Sequence, residues 1–384
     1  MLADARDPAK PKTPALAAPT LLMRLQGDNV ARMVFLLPSV LLVLFLAVFP
    51  LLASLYLSVS RVQLVRGGFN IEFIGLRNFE RLLSGSEQRR FLGRFTEFNF
   101  EHWLVLGAVV LVMVLMLVNY VRSPRFKWTG IPIRLVAIAF GTALTYLFLA
   151  TLTGRGLPGT LVVTMIFVFA GVTLQYLLGL GLAMLLTQEL PGKRFFRIIF
   201  LLPMMITPVG IAFLFRMMTD TLQGPLAPLW ALVGLRNFSW VETAEGARLA
   251  VVIGDTWQWT PFMFIILLAA LEGVSRETIE AALVDGANRV QLFFNIILPE
   301  ILPVSITLIL IRIIESFKII DMPQVLTRGG PGTATEPVSL HAYNIWRAGD
   351  WGGSAALSYL LLIIVTFVAL VFVNSVRRRV LEWV

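Results

Sequence analysis

Long runs of apolar residues alternate with short polar segments along most of the chain. A helix needs about 20 consecutive apolar residues to cross the roughly 30 Å hydrocarbon core of a bilayer. Eight runs meet this requirement, at residues 33–57, 103–121, 131–153, 159–186, 198–218, 249–273, 301–320 and 354–376. The pattern therefore predicts an all-α integral membrane protein with about eight transmembrane helices.

The composition agrees with this class and excludes several others. Of 384 residues, 57% are hydrophobic and only 14% are charged, whereas a soluble domain of this size needs more charge on its surface. The net charge of +9 comes mainly from residues beside apolar runs, which indicates anionic lipid rather than nucleic acid as the partner. The absence of cysteine excludes disulfides and thiol catalysis, and the two widely separated histidines, His102 and His341, argue against a metal site.

Basic residues in the connecting segments indicate the orientation of the chain. Lysine and arginine are in excess in segments 122–130 and 187–197 and at Arg377–Arg379. Loops of this kind face the cytoplasm, so we expect both termini and the polar loop at 275–299 to be cytoplasmic.

Segment 59–102 should then be external, although it carries seven arginines. Long segments can be translocated despite such charge. We expect part of this one to form an amphipathic helix on the membrane, with Phe79, Leu82 and Leu83 facing lipid.

One glycine pattern imitates a nucleotide site. Residues Gly154–Gly159 match G-x-G-x-x-G, but they join two apolar runs rather than a strand and a helix. Thr160 also stands where a P-loop requires lysine. We therefore expect no nucleotide site and no ATPase activity in this chain.

The loop between the sixth and seventh apolar runs has the features of a short structured element. Ser275 can cap a helix, and Gly286 permits a sharp turn into a second short helix at about 288–297. Such a helix-turn-helix can dock on a partner outside the bilayer. The residues that we expect to make this contact are Glu280, Ala281, Ala282, Asp285, Gly286 and Ala287.

This loop resembles the EAA loop of ABC importer permeases. A second match follows the seventh run, where Gly329, Gly330, Pro331 and Gly332 precede Ala334-Thr335. With the Phe-Leu-Leu-Pro sequence of the first run and Phe73–Phe79, these motifs appear in the order found in carbohydrate-type ABC importer permeases of the MalF and UgpA kind. The resemblance extends from about Met33 to Arg379.

The resemblance implies a division of the chain and a set of partners. The family order gives a first span with an external amphipathic segment (31–93) and a permease core (157–384) that belongs to the usual six-span arrangement. The chain departs from the family pattern by an inserted transmembrane hairpin (94–156), and the Ala- and Pro-rich composition of residues 1–30 predicts a disordered cytoplasmic leader. The implied partners in the bacterial inner membrane are a second permease subunit, forming a heterodimer, and two ABC ATPases that grip the 275–299 loop. A solute-binding protein would face Gly329–Gly332. ATP and Mg²⁺ would be bound by the ATPases, and this chain would hold no cofactor.

Polar residues inside two of the predicted spans are candidates for a solute pathway, because intramembrane charges normally face a bundle interior or an aqueous cavity. Arg312, Glu315, Ser316 and Ile319 share one face of the seventh helix by their spacing. Arg312 and Glu315 could instead pair only with each other. In the sixth span, Asp255, Trp257, Gln258 and Phe262 combine rings and polar groups, as sugar sites do. By resemblance to the maltose-type permease, Trp257 and Phe262 would contact the sugar.

The predicted function is the membrane subunit of an ATP-driven importer for a sugar, a polyol or a sugar derivative. An ion-coupled secondary transporter using Asp255, Glu315 and Lys318 is the alternative, and it predicts inverted repeats that the sequence does not show. A membrane enzyme would need a catalytic cluster, which the two histidines do not form. Whether the solute is neutral or anionic stays open at this point.

Overall fold

The computed structural model describes residues 33–122, 128–153, 156–188, 190–236 and 238–380. The predicted leader (1–30) and the first two residues of the glycine pattern at 154–159 lie outside these ranges. Residues up to Tyr56 and residues from Leu57 onward form two separate units. The first unit consists of most of one apolar helix, which contains a π-helical stretch at Leu44–Val48.

The described residues are largely helical. The helices are α1 (Met33–Ser58), α2 (Arg77–Leu83), α3 (Gln88–Phe91), α4 (Phe100–Arg122), α5 (Ile131–Leu152), α6 (Thr160–Thr187), α7 (Lys193–Met205), α8 (Pro208–Met218), α9 (Ala227–Leu232), α10 (Ala244–Glu272), α11 (Arg276–Val284), α12 (Arg289–Ser316), α13 (Asp321–Leu326), α14 (Val338–Arg347) and α15 (Trp351–Val380). The strands are β1 (Ser60–Val65), β2 (Gly68–Phe73), β3 (Gly93–Arg94) and β4 (Leu157–Pro158).

Among these residues, seven helices are long and apolar enough to cross a membrane, namely α1, α4, α5, α6, α10, α12 and α15. The bent pair α7 and α8 brings the count to eight if it is taken as one span. The predicted all-α membrane fold is therefore confirmed.

The segment 198–218, predicted as one span, is divided between α7 and α8, which meet at 97°. The residues at the junction, Ile206 and Thr207, have extended backbones. Pro208 causes this locally, because its ring disfavours the helical conformation in the preceding residue. The bend therefore follows from the Thr207–Pro208 sequence.

Helices α6 and α10 form the centre of the second unit. In their most apolar windows, 56% and 67% of the residues are buried, compared with 11% in α15. The two helices approach closely at Gly179, where a Cβ atom would lie 2.5 Å from Cβ of Met263. A glycine at this crossing lets the two backbones pack together, so α6 and α10 provide a fixed frame for the side chains between them.

Segment 94–156, predicted as an inserted hairpin, contains the helix pair α4 and α5, which pack against each other. Helix α5 also contacts α6 and α15, whereas α4 is almost wholly exposed. Strands β3 and β4 pair where the chain enters and leaves this segment. The hairpin is thus attached to the rest of the unit through α5 and this short ladder.

The external segment differs from its prediction. Residues 60–73 form a two-stranded hairpin, and in the helix α2 Leu82 is fully buried and Phe79 packs on the core. Of the three residues predicted to face lipid, only Leu83 is exposed, at 45%. The expectation of a surface helix is therefore wrong, because α2 uses its apolar side to pack against the protein.

Two arginines of this segment have acidic partners in distant parts of the chain. Arg81 pairs with Asp350. Arg90 forms a bidentate ion pair with the Glu336 carboxylate, donating from Nη2 at 2.6 Å and from Nε at 2.9 Å. Paired charges of this kind explain how a segment rich in arginine can belong to the non-cytoplasmic side predicted for it.

Candidate functional site

A buried cluster of polar side chains joins three central helices. Arg312 of α12 donates from Nη2 to Oδ2 of Asp255 on α10 at 2.7 Å, and from Nε to Oε1 of Gln175 on α6 at 2.7 Å. The Gln175 amide in turn donates to Oδ2 of Asp255 at 2.8 Å. Arg312 is only 2% exposed and Asp255 only 5%. The three side chains therefore form a closed hydrogen-bonded triangle inside the helix bundle.

The indole ring of Trp259 covers this triangle on one side. The guanidinium carbon of Arg312 lies 4.4 Å from the ring centroid, which is cation–π geometry. Desolvating an arginine is expensive unless its charge is paired and its hydrogen bonds are made. Asp255, Gln175 and Trp259 together meet both requirements, so the position of the Arg312 head group is closely defined.

Glu315 takes no part in the triangle. Its carboxylate accepts from Nζ of Lys318 at 2.8 Å, and the two side chains are 44% and 61% exposed. The alternative in which Arg312 and Glu315 pair with each other is therefore wrong. Arg312 points between α6 and α10, whereas Glu315 lies near the end of α12, where it meets Lys318 instead.

These groups line a cavity of about 170 Å³. Its wall carries both partners of the buried pair, the exposed Glu315–Lys318 pair, and an amide and an indole from α10. The lining residues are Pro208, Asp255, Gln258, Trp259, Arg312, Glu315, Lys318, Ile319, Ile320, Asp321 and Met322. Hydrogen-bonding groups of both kinds beside one aromatic face suit a polyhydroxylated solute.

The predicted pathway residues divide between this cavity and other places. Asp255, Gln258, Arg312, Glu315 and Ile319 line it. Ile319 does so from the connection after α12, because that helix ends at Ser316. The expectation that Ile319 shares a helix face with Arg312 is therefore wrong.

The other three predicted residues lie outside the cavity wall. Trp257 is 39% exposed and packs edge-on against Phe215 at 5.8 Å. Phe262 makes an edge contact with Trp259 at 6.2 Å. Ser316 is buried, and its hydroxyl has no partner among the described residues. Their proposed contacts with solute stay predictions.

Two members of the cluster were not predicted, and each left a signal in the sequence. Gln175 is an amide within an apolar run, and such a group inside a membrane normally faces a partner. Trp259 follows Asp255 by four residues and so shares its helix face, whereas Trp257 follows it by two and does not. Spacing from Asp255 thus selects Trp259 as the aromatic residue of the cavity.

The 275–299 loop follows α10 and leads into α12. Ser275 caps α11 by accepting from the Thr278 amide at 3.4 Å, and Gly286 has a φ of +82°, as predicted for the turn. Asn288 and Gln291 then form a reciprocal capping box with both contacts at 2.9 Å. The second short helix, predicted at 288–297, is the first part of α12 itself, because no break follows it. The second half of the loop and the rest of α12 are therefore one continuous helix, which contains a π-helical stretch at Phe293–Ile297.

The outward surface of this loop is partly apolar. Val284 is 88% exposed, Val290 65% and Phe294 59%, beside exposed Glu280 and Asp285. The remaining predicted contact residues include Ala281, which is exposed, and Ala287, which is half-buried. Ala282, in contrast, is buried against the protein and cannot meet a partner directly.

The glycine-rich segment lies beyond the other end of α12. Gly329 and Gly332 have φ values of +83° and +59°, and Thr335 holds the turn by donating from Oγ1 to the Gly330 carbonyl at 2.8 Å. Gly330 and Pro331 line a groove of about 700 Å³. Helix α12 therefore separates this groove from the 275–288 turn.

A second buried polar cluster lies close to this segment. The His341 ring is fully buried, with Nε2 3.5 Å from a Glu87 oxygen and Nδ1 3.4 Å from the Thr160 hydroxyl. Burial and, to a smaller extent, the Arg90 charge lower the pKa of His341 to about 4, against the attraction of Glu336 and Glu87, which raises it. The ring is therefore neutral at neutral pH.

Comparison with known proteins identifies the family to which this chain belongs. Residues 175–382 match the profile of the family described as the binding-protein-dependent transport system inner membrane component. The chain belongs to this family. The matched region begins at Gln175 and includes the charge triangle, the cavity, the 275–299 loop and the glycine-rich segment.

Two similar proteins are named as permease subunits of transport systems. The chain is 34% identical over 232 residues to the trehalose/maltose transport system permease protein MalF of Thermococcus litoralis, covering 60% of this chain and 79% of the relative. It is 31% identical over 227 residues to the sn-glycerol-3-phosphate transport system permease protein UgpA of Yersinia pestis, covering 56% of this chain and 74% of the relative. The chain is thus a multi-pass permease subunit of an ABC importer.

The fold agrees with that of a solved transporter. One chain of a bacterial alginate ABC transporter, solved with an alginate pentasaccharide-bound periplasmic protein, superposes with a TM-score of 0.59 at 17% identity. The alignment covers 94% of the permease described here and 98% of that chain. Membership of a binding-protein-dependent transport family supports the importer rather than the ion-coupled alternative, and it is a transport family rather than an enzyme family.

Proposed function

We propose that this permease forms one half of the membrane pathway for a sugar, a polyol or a sugar derivative. The observation that carries the proposal is the polar cavity between α10 and α12, with Gln258 and Trp259 on its wall. A pyranose or polyol chain can stack on the indole while its hydroxyls meet the amide and the charged pairs. The names of the relatives, which include trehalose, maltose and glycerol phosphate systems, point to the same solute class.

The electrostatics of the cavity favour an uncharged solute. Arg312 is already neutralised by Asp255, and Lys318 by Glu315, while Asp321 adds to the wall a carboxylate that has no ion-pair partner among the described residues. An anionic sugar would meet no free cation here. Neutral hydroxyls, in contrast, can both donate to the carboxylates and accept from the amide.

The loop at 275–299 can connect ATPase movement to the cavity, because it is continuous in sequence with both helices that line the cavity. The 275–299 loop joins the two helices that line the cavity, and its second half continues into α12 without a break in the helix. Two partner ATPases, which bind ATP and Mg²⁺, would bind to the exposed surface around Val284 and Glu280. Displacement of this surface would move α12, and with it Arg312, relative to α10. ATP binding and solute binding can then favour different cavity states, as linkage requires.

The remaining partners occupy other surfaces. A second permease subunit would complete the pathway, and an extracytoplasmic solute-binding protein would deliver solute at the groove beside Gly330 and Pro331. Both termini and the coupling loop would face the cytoplasm, as the basic loops indicate.

The decisive experiment reconstitutes the complete importer in vesicles and measures ATP-driven uptake of labelled maltose, trehalose and glycerol 3-phosphate. Trp259→Ala and Trp257→Ala form a matched pair, because only Trp259 lines the cavity. We expect the first variant to lose uptake, with Gln258→Ala as an independent cavity variant, whereas the second variant tests the sugar contact that the resemblance assigns to Trp257. Uptake that persists without ATPases, or that ionophores abolish, would contradict the proposal.

A further inference from the structure

The β1–β2 hairpin has one apolar and one polar face. Its register pairs Val62 with Ile71 and Leu64 with Phe69, and these four side chains lie on one face. The opposite face carries Arg61 across from Glu72 and Gln63 across from Asn70. Pairs of this kind are stable in water, whereas the apolar set needs a cover.

Among the described residues, the protein buries the base of the apolar face and leaves most of the rest exposed. Val62 is 8% exposed, whereas Leu64 is 78% exposed, Phe69 56% and Ile71 44%. Phe73, opposite Ser60, is 67% exposed. Large side chains of a soluble surface are rarely grouped in this way, so the face is built to contact an apolar surrounding.

The depth of the hairpin is defined by the start of the last span. The Phe69 ring lies 4.9 Å from the ring of Trp351, the first residue of α15. At Gly352 a Cβ atom would lie 2.2 Å from the Ser60 carbonyl oxygen, so the base of β1 touches the first turn of that helix. The end of a membrane-spanning helix marks the boundary between hydrocarbon and water, and tryptophan is enriched there. The exposed apolar face therefore lies at this boundary, against the first turn of α15.

We propose that the apolar face of the β1–β2 hairpin is inserted into the interfacial layer of the lipid bilayer, beside the start of α15. Leu64, Phe69, Ile71 and Phe73 would contact lipid, while the face with Gln63 and Asn70 would stay in water. The hairpin would thereby anchor the tightly packed segment 74–93 at the membrane surface. This role is independent of which solute the importer carries.

The chain contains no cysteine, so single-cysteine variants can be labelled directly. Leu64→Cys and Phe69→Cys report on the apolar face, and their sequence neighbours Gln63→Cys and Asn70→Cys are matched controls on the polar face. Each variant of the full chain is labelled with an environment-sensitive fluorophore and placed in phosphatidylcholine–phosphatidylglycerol vesicles. Quenching by a lipid with a nitroxide near its headgroup is compared with quenching by aqueous iodide.

We expect a blue-shifted emission and quenching mainly by the nitroxide lipid at positions 64 and 69, with quenching mainly by iodide at 63 and 70. Equal quenching by iodide at all four positions would overturn the proposal. Protection at 64 and 69 without nitroxide quenching, or only after the second permease or the solute-binding protein is added, would assign the face to a protein partner and would overturn it as well. A Leu64→Ser exchange in the Phe69→Cys variant should reduce the nitroxide quenching.

Discussion

The Asp255–Arg312–Gln175 triangle and the 275–299 loop are the two polar regions next to α12, and they differ in where their interactions end. In the triangle, every charged group meets another group of the same chain, with all three contacts between 2.7 and 2.8 Å. In the described part of the loop, the side-chain hydrogen bonds of Ser275 and Asn288 go to local helix ends, and Val284 and Val290 are exposed. The closed hydrogen-bonded network of the triangle fixes the position of α12, whereas the exposed side chains of the loop are available to bind a partner. Mutations should therefore affect stability in the triangle and coupling in the loop.

The largest effect should come from opening the triangle. Asp255→Ala leaves the Arg312 charge buried and unpaired, which costs about 3–5 kcal/mol of the free energy of unfolding. Glu315→Ala is the control, because it breaks an exposed pair worth about 0.2–1 kcal/mol. Denaturation of the purified permease in detergent, followed by tryptophan fluorescence, measures both. If the two variants lose the same free energy of unfolding, the buried triangle contributes no more to stability than an exposed ion pair, and the prediction is wrong.

Acidification should weaken the second buried cluster. Because the folded-state pKa of His341 is lowered to about 4, the unfolded chain binds more protons than the folded chain between that value and about 6.5. Stability should therefore be fully present above about pH 6.5 and fall as the pH drops towards 4, by at most about 1.4 kcal/mol per pH unit.

Thermal unfolding of the permease at a series of pH values measures this slope. His341→Gln should flatten it, because the variant cannot be protonated. His102→Gln leaves His341 in place and should keep the slope. If the wild-type slope survives His341→Gln, a different group is responsible.

An exchange at the turn of the loop should have an intermediate effect. At Gly286 no atom lies within 4 Å of a built Cβ, so Gly286→Ala adds only the strain of its positive φ, about 1–2 kcal/mol. That strain is local and should shift the angle between α11 and α12. We expect reduced stimulation of ATP hydrolysis by the solute-binding protein in the reconstituted importer.

Gly181→Ala is the matched control for this exchange. It also has open space around the built Cβ, but it lies within α6 and has no positive φ. We expect normal coupling and unchanged or slightly higher stability, since alanine favours helices. Loss of coupling in this variant would show that the assay responds to glycine replacement in general.

The smallest effect on stability, with a large effect on assembly, is expected at Val284. The side chain is 88% exposed, so Val284→Ser should leave the unfolding midpoint unchanged while weakening association with the ATPases. Leu232→Ser is the control, because Leu232 is 83% exposed on the distant helix α9. Co-purification of the ATPases with each variant distinguishes the two. Equal recovery would show that the apolar tip is not part of the docking surface.

Predictions from the sequence were correct for features that depend only on residues close together in the chain. The apolar runs, the Ser275 cap and the turn at Gly286 depend on neighbours within a few residues, and the structure reproduces them. The same local information contained two features that the prediction missed. Pro208 after Thr207 marks the 97° bend between α7 and α8, and the four-residue spacing from Asp255 identifies Trp259.

By itself, then, the sequence determined the membrane class, most of the spans and the helix-turn-helix at 275–299, because hydrophobic length, capping and backbone freedom are local properties. Only the tertiary structure decided that Arg312 pairs with Asp255 rather than Glu315. The choice depends on which helix lies beside α12, and Gln175 and Asp255 are 137 and 57 residues away along the chain. It likewise decided that Leu82 faces the core while Leu64 and Phe69 do not, since burial depends on what packs opposite each side chain.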